Sequence, residues 1–200
     1  TVLRALAFKE GMEASPVATH TYLFLADVLS QGGAPPGYPE SWGETDADYA
    51  MDPRIVRDPV YGSLMEGALL SLPSLSIVMG RDDMFGPDGI YRNGGSGENE
   101  GGERPASVEL IQPSRTEGFQ VDCAIRPHSH VAGPIKRSFK LLFKSEYGPA
   151  KLRYPLFGSA PLNADSAADS FDRIILRAGL NRCWVNRWNP DDTCYTRDQW

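Results

Sequence analysis

The sequence predicts an α+β fold: a mostly antiparallel sheet with helices at its margins. Three observations predict it. Runs that alternate apolar and polar residues crowd the middle of the chain, at 106–111, 119–126 and 138–144. One stretch, from Asp58-Pro59 to Pro73, carries apolar residues at helical spacing instead. Gly (20) and Pro (16) together are well above ordinary usage for 200 residues, which favours many turns, short strands and at least one long loop.

Taken in order, residues 1–9 alternate, with Val2, Arg4 and Leu6 on one face and Leu3, Ala5 and Ala7 on the other. The low polar contrast predicts a short strand buried on both faces or paired in a sandwich. Glu10-Gly11 marks a turn. Thr19–Gln31 reads as a helix, capped by Thr19 or Thr21 and ended by Gly32-Gly33. Residues 32–48 form a Gly/Pro/acid linker. At Asp58-Pro59 the carboxylate can accept free N–H groups while proline suits a first helical turn. Leu64, Met65, Ala68, Leu69 and Leu72 then make an apolar stripe, and Pro73 stops the helix. Ser74–Met79 is a strand. Residues 80–104 read as a long ordered loop with a short strand at Gly89-Ile90-Tyr91, because Met84, Phe85, Ile90 and Tyr91 interrupt the polar run.

The strands at the centre assign faces. In 119–126, Phe119, Val121, Cys123 and Ile125 lie on one side and Gln120, Asp122, Ala124 and Arg126 on the other. In 138–144, Phe139, Leu141 and Phe143 face inward, and Lys136, Ser138 and Lys140 share the opposite face. Phe171–Leu176 is a fourth strand, and a helix starts near Thr196.

Charge and composition exclude some partners. Lys+Arg is 20 against Asp+Glu 26, a net charge of −6. That argues against nucleic acid and anionic membranes, both of which reward clustered positive charge. No apolar run approaches the roughly 20 residues needed to span a bilayer. The three cysteines, Cys123, Cys183 and Cys194, are not a disulfide framework; one Cys183–Cys194 bridge and three free thiols both fit. The chain opens on Thr1 and closes on Trp200 inside a starting helix, so both ends are expected to be cut from something longer.

A family resemblance rests on many words in order: THTYLFLADVLSQ, MDPRIVRDPVYGSLMEGALLSLPSLSIVM, DDMFGPDGIY, ERPASVELI, GFQVDCAIR, IKRSFKLLFKSEYG, PLFG, FDRIILRAG and TRDQW. From about residue 19 to residue 200 the chain resembles the bacterial CotH family, named after a spore-coat protein and related in fold to protein kinases. The opening TVLRALAFKEG is similar to the last strands of a chitobiase/hexosaminidase C-terminal-type β-sandwich. The resemblance divides the chain into a sandwich end (1–18), a helix and linker (19–48) and the N-terminal part of a kinase-like domain (49–200). It implies an ATP- and Mg-dependent phosphotransferase of a secreted or surface multidomain protein, with a protein substrate or envelope and surface proteins as partners. The family's metal-binding and catalytic acids come later in the chain.

The family has a strand like GIRIRGG-S-R before one like PKHSFRLFF; this chain has CAIRPHSHVAGPIKRSFKLLF. Lys136 matches the lysine before the second strand, Lys140 the basic residue within it, and Arg126 closes the first. The resemblance makes these three the nucleotide contacts. Pro127 and His128-Ser129-His130 stand where the family has glycines, and proline removes an N–H that could face phosphate. A scaffold with a degenerate nucleotide loop is therefore the alternative, with the lysines as a solvated sheet face. A carbohydrate-binding surface module is another, from Trp184, Trp188 and Trp200.

Other candidates have plainer readings. His128-x-His130 could share a face around a metal, or be an exposed loop pair. Asp82-Asp83 with Asp88 does not have EF-hand spacing and reads as a turn packed down by Phe85 and Tyr91. Asp191, Asp192, Arg197 and Asp198 suit a helix start and ion pairing. Arg177 reads as a loop anchor, and Glu109, in a strand beside the lysine-bearing ones, is a candidate partner for a lysine.

Overall fold

The computed structural model describes residues 1–42, 45–91, 102–113, 118–128, 137–157 and 167–178. In chain order the elements there are β1 (Val2–Ala5), β2 (Ala18–Thr21), α1 (Leu25–Ser30), β3 (Ser41–Trp42), β4 (Thr45–Asp46), α2 (Pro53–Val56), α3 (Tyr61–Leu70), β5 (Ser74–Met79), α4 (Arg81–Phe85), β6 (Arg104–Ile111), β7 (Phe119–His128), β8 (Ser138–Leu142), β9 (Leu152–Arg153), β10 (Ser170–Phe171) and β11 (Arg173–Leu176). The class is α+β, as expected. Among the described residues no helix is long and apolar enough to cross a membrane.

The alternating runs at the centre become neighbours in one five-stranded antiparallel sheet, ordered β11-β8-β7-β6-β5. Register fixes the faces. Val108 lies opposite Val121 and Ile77, and Ile125 opposite Leu141, which in turn faces Ile174. These residues make the apolar face; Val108, Cys123 and Ile125 are 0% exposed. Ile90, Phe143 and Leu152 close over it, joined by Met84, Tyr154, Leu156 and Phe171. The opposite face carries Ser76, Ser107, Glu109, Gln120, Asp122, Arg126 and Lys140 together with the apolar Val78, Ala124 and Leu142, so one side of the sheet is core and the other is mixed but holds the sheet's polar side chains.

Two prolines sit inside strands, each at a position paired on one side only. Pro105 lies one residue beyond the β5 pairing, which ends at Met79↔Ala106. Pro127 lies beyond the β6 pairing, which ends at Arg104↔Ile125. Each therefore has a free flank toward which its missing N–H can point. Gly148 marks a close approach: a Cβ there would stand 2.3 Å from the carbonyl oxygen of Asp122, so the 145–148 turn lies against β7 only because the side chain is absent.

Several expectations change. The helix predicted over 19–31 begins at Leu25, because Ala18–Thr21 pairs with β1. The β-branched Thr19 and Thr21 suit that strand better than a helical cap. β1 is not buried on both faces; all four of its residues are exposed. The 80–104 stretch opens with α4, and Ile90 is a fully buried turn residue rather than part of a strand. The apolar stripe of α3 is mostly uncovered, with Leu64 60% and Leu72 67% exposed. The helix start itself agrees: Asp58 Oδ1 accepts from Val60 N at 2.8 Å and Tyr61 N at 2.9 Å. Phe171–Leu176 splits, its first residue pairing with β9 and Arg173–Leu176 with β8.

Candidate functional site

The antiparallel pairing of β7 with β8 sets Arg126 directly opposite Lys140 on the polar face of the sheet. Two cations at facing positions repel each other, and this is an unfavourable cross-strand pair unless something compensates. Lys140 is also covered, at 5% exposed, so it is not the solvated lysine of the alternative reading. Among the described residues its ammonium has no hydrogen-bond or ion-pair partner.

Nearby lysines are different. Lys144 Nζ donates to both Glu103 oxygens, at 2.6 and 2.9 Å, and that hydrogen bonding raises its pKa. Lys151 Nζ stands 2.7 Å from Asp172 Oδ1 and holds that carboxyl below its ordinary range. Lys140 thus stands apart as a covered cation facing a second cation rather than an acid. What an arrangement of this kind can do chemically is accept an anion: phosphate oxygens beside Lys140 would neutralise its ammonium.

The other sequence candidates separate. Lys136, His130, Cys183, Cys194, Trp184, Trp188, Trp200, Asp191, Asp192, Arg197 and Asp198 lie outside the described residues. His128 is the last residue of β7, opposite Ser138. Among the described residues no three His, Cys, Asp or Glu side chains are grouped to hold a metal. The acidic turn is structural: Arg104 Nε lies 3.6 Å from Asp83 Oδ1 and its Nη2 donates to the Asp88 carbonyl at 2.8 Å. The Phe85 and Tyr91 rings pack over it, with centroids 5.5 Å apart.

Among the described residues Glu109 pairs with no lysine. Its Oε2 accepts from the Thr21 backbone N–H at 2.7 Å, and its Oε1 lies 3.4 Å from His20 Nδ1. The sequence distance of 88 residues explains why no local signal announces this contact.

Cys123 is inert by construction of the core. It is 0% exposed, and burial pushes its thiol up to about 12, with the Asp122 charge adding to the effect. In mildly alkaline buffer a thiol reagent should leave Cys123 unmodified in the folded chain and modify it after denaturation, as read by peptide mass mapping. Labelling of Cys123 at the same rate in both states would place it outside the core.

Compared with known proteins, the chain matches no protein-family model, no curated protein and no solved structure.

Proposed function

We propose that this chain is the N-terminal portion of a CotH-like, ATP- and Mg-dependent kinase-like domain in a secreted or surface multidomain bacterial protein, acting on a protein substrate and inactive as this portion alone. The observation that carries the reading is the covered ammonium of Lys140, which has no partner among the described residues and lies opposite Arg126 across β7 and β8. In phosphoryl transfer the protein does little covalent chemistry; it positions the phosphates and neutralises their charge. Lys140 and Arg126 are the residues that would do so here, by hydrogen-bonding phosphate oxygens on the polar face of the sheet. Magnesium, when bound, supplies further neutralisation of those oxygens. Among the described residues no three His, Cys, Asp or Glu side chains are grouped to hold it, so no step is assigned to the metal in this portion.

Titration of ATP–Mg into the 200-residue chain tests the reading. Saturable binding is expected, weakened about tenfold or more by Lys140→Ala, as fits the loss of a charge-assisted hydrogen bond. Equal binding by wild type and Lys140→Ala, or none at millimolar nucleotide, rejects it.

The second reading, a scaffold without nucleotide affinity, is favoured by one observation. β7 continues through Pro127 and His128, so these residues belong to a strand rather than to a turn wrapped around phosphates. Absence of binding in the same titration supports this reading.

A further inference from the structure

The β1–β2 hairpin is joined to the sheet in an unusual way. Tyr22 N donates to Thr1 O at 2.8 Å and the Thr1 ammonium donates to Tyr22 O at 3.0 Å. Counting inward from that hydrogen-bonded pair, Thr21 and Thr19 face Val2 and Arg4 at non-hydrogen-bonded positions. Their N–H groups therefore point away from β1, along an open strand edge of the kind that invites pairing. The Glu109 carboxylate of β6 occupies that edge. It accepts from Thr21 N at 2.7 Å and lies 3.4 Å from His20 Nδ1. Beside it, the Thr21 and Ser76 hydroxyls hydrogen-bond at 2.7 Å.

Among the described residues few other side chains hold the hairpin down. All four residues of β1 are exposed, and in β2 only Thr19 is buried. The Thr19 hydroxyl is itself enclosed with no partner among the described residues. A two-stranded hairpin is marginal on its own, so its state depends on the few polar contacts at its foot. The same hairpin extends to Ser15, whose N donates to Ala7 O at 3.0 Å, and residues 13–18 form one wall of an open cleft. The other wall is Gln120 and Asp122 of β7 with the 145–153 segment.

We infer that Glu109 is a latch: its carboxylate fastens the β1–β2 hairpin to the sheet, and release of the latch lets the hairpin lift as a unit and open the cleft. The inference is independent of the nucleotide reading, because Glu109 lies six β7 positions from Arg126, opposite Gln120. The hairpin is then a strap, a local unit whose opening costs less than global unfolding.

Hydrogen exchange by mass spectrometry on the whole chain tests this, comparing wild type with Glu109→Ala and Glu109→Gln. In Glu109→Ala, amides of 2–9 and 13–22 should exchange about tenfold faster or more, the scale of one lost charge-assisted hydrogen bond, while β6, β7 and β8 keep their protection. Glu109→Gln keeps an acceptor for Thr21 N–H and should give a smaller rise. Unchanged hairpin exchange in Glu109→Ala, or a hairpin already unprotected in wild type, overturns the latch. Loss of protection in hairpin and sheet together overturns the strap. Should Glu109→Ala not fold, Glu109→Gln decides: faster hairpin exchange over a protected sheet supports the latch, and wild-type exchange overturns it.

Discussion

Leu141→Ala is expected to lower the unfolding free energy by about 2–5 kcal/mol, seen as a lower urea midpoint at an unchanged slope. Leu141 is 1% exposed on β8, with Ile125 on one neighbouring strand and Ile174 on the other. It belongs to the cluster that includes Val108, Cys123, Phe143 and Leu152, so truncation leaves a cavity bounded by sheet on one side and by the covering segments on the other. Two strands hold its backbone, which limits how far the site can collapse, and that places the cost away from the bottom of the range. Leu64→Ala and Leu72→Ala make the comparison. Both are more than half exposed, so each should stay within about 0.5 kcal/mol of wild type. Costs at Leu64 and Leu72 equal to that at Leu141 would show that the α3 face is covered in solution and that the core has a second centre.

That contrast also shows what could be read from the residues alone. The strand faces were legible because period-2 alternation in 119–126 and 138–144 leaves one way to bury Phe119, Val121, Cys123 and Ile125 together with Phe139 and Leu141. The α3 stripe was legible as a helix but not as a surface, since periodicity finds an apolar face without saying what meets it. α4 has five residues and its Gly80 N-cap makes no side-chain capping bond; only the acids Asp82 and Asp83 of its first turn hint at a start, and so short a helix shows no apolar period to distinguish it from loop. The threonines of β2 carried two meanings, cap or β-branched strand residue, and the choice was made by pairing with β1. For the site, the sequence placed Lys140 and Arg126 on the same face. It did not supply their facing register or the cover over Lys140, because both depend on how β7 and β8 align and on what packs above them. The partners of Glu109 were hidden for the same reason: an acid beside lysine-bearing strands is an ordinary ion-pair candidate until the fold brings His20 and the Thr21 amide to it.

Lys140→Met should separate a binding role from a structural one by stability alone. Methionine keeps most of the packed stem and removes the charge. If the ammonium is retained for an anion, its removal relieves repulsion with Arg126 and the cost of covering a charge, so the variant should gain about 1 kcal/mol at low ionic strength. The gain should shrink as salt rises, because screening weakens the repulsion in wild type. It should shrink further with inorganic phosphate, which stabilises only the form that binds it. Urea unfolding of both proteins, with and without phosphate, checks this. A Lys140→Met chain less stable than wild type under all these conditions would mean that the ammonium supports the fold. The facing cations would then be an element of the scaffold, and the phosphate reading would lose the physical reason on which it stands.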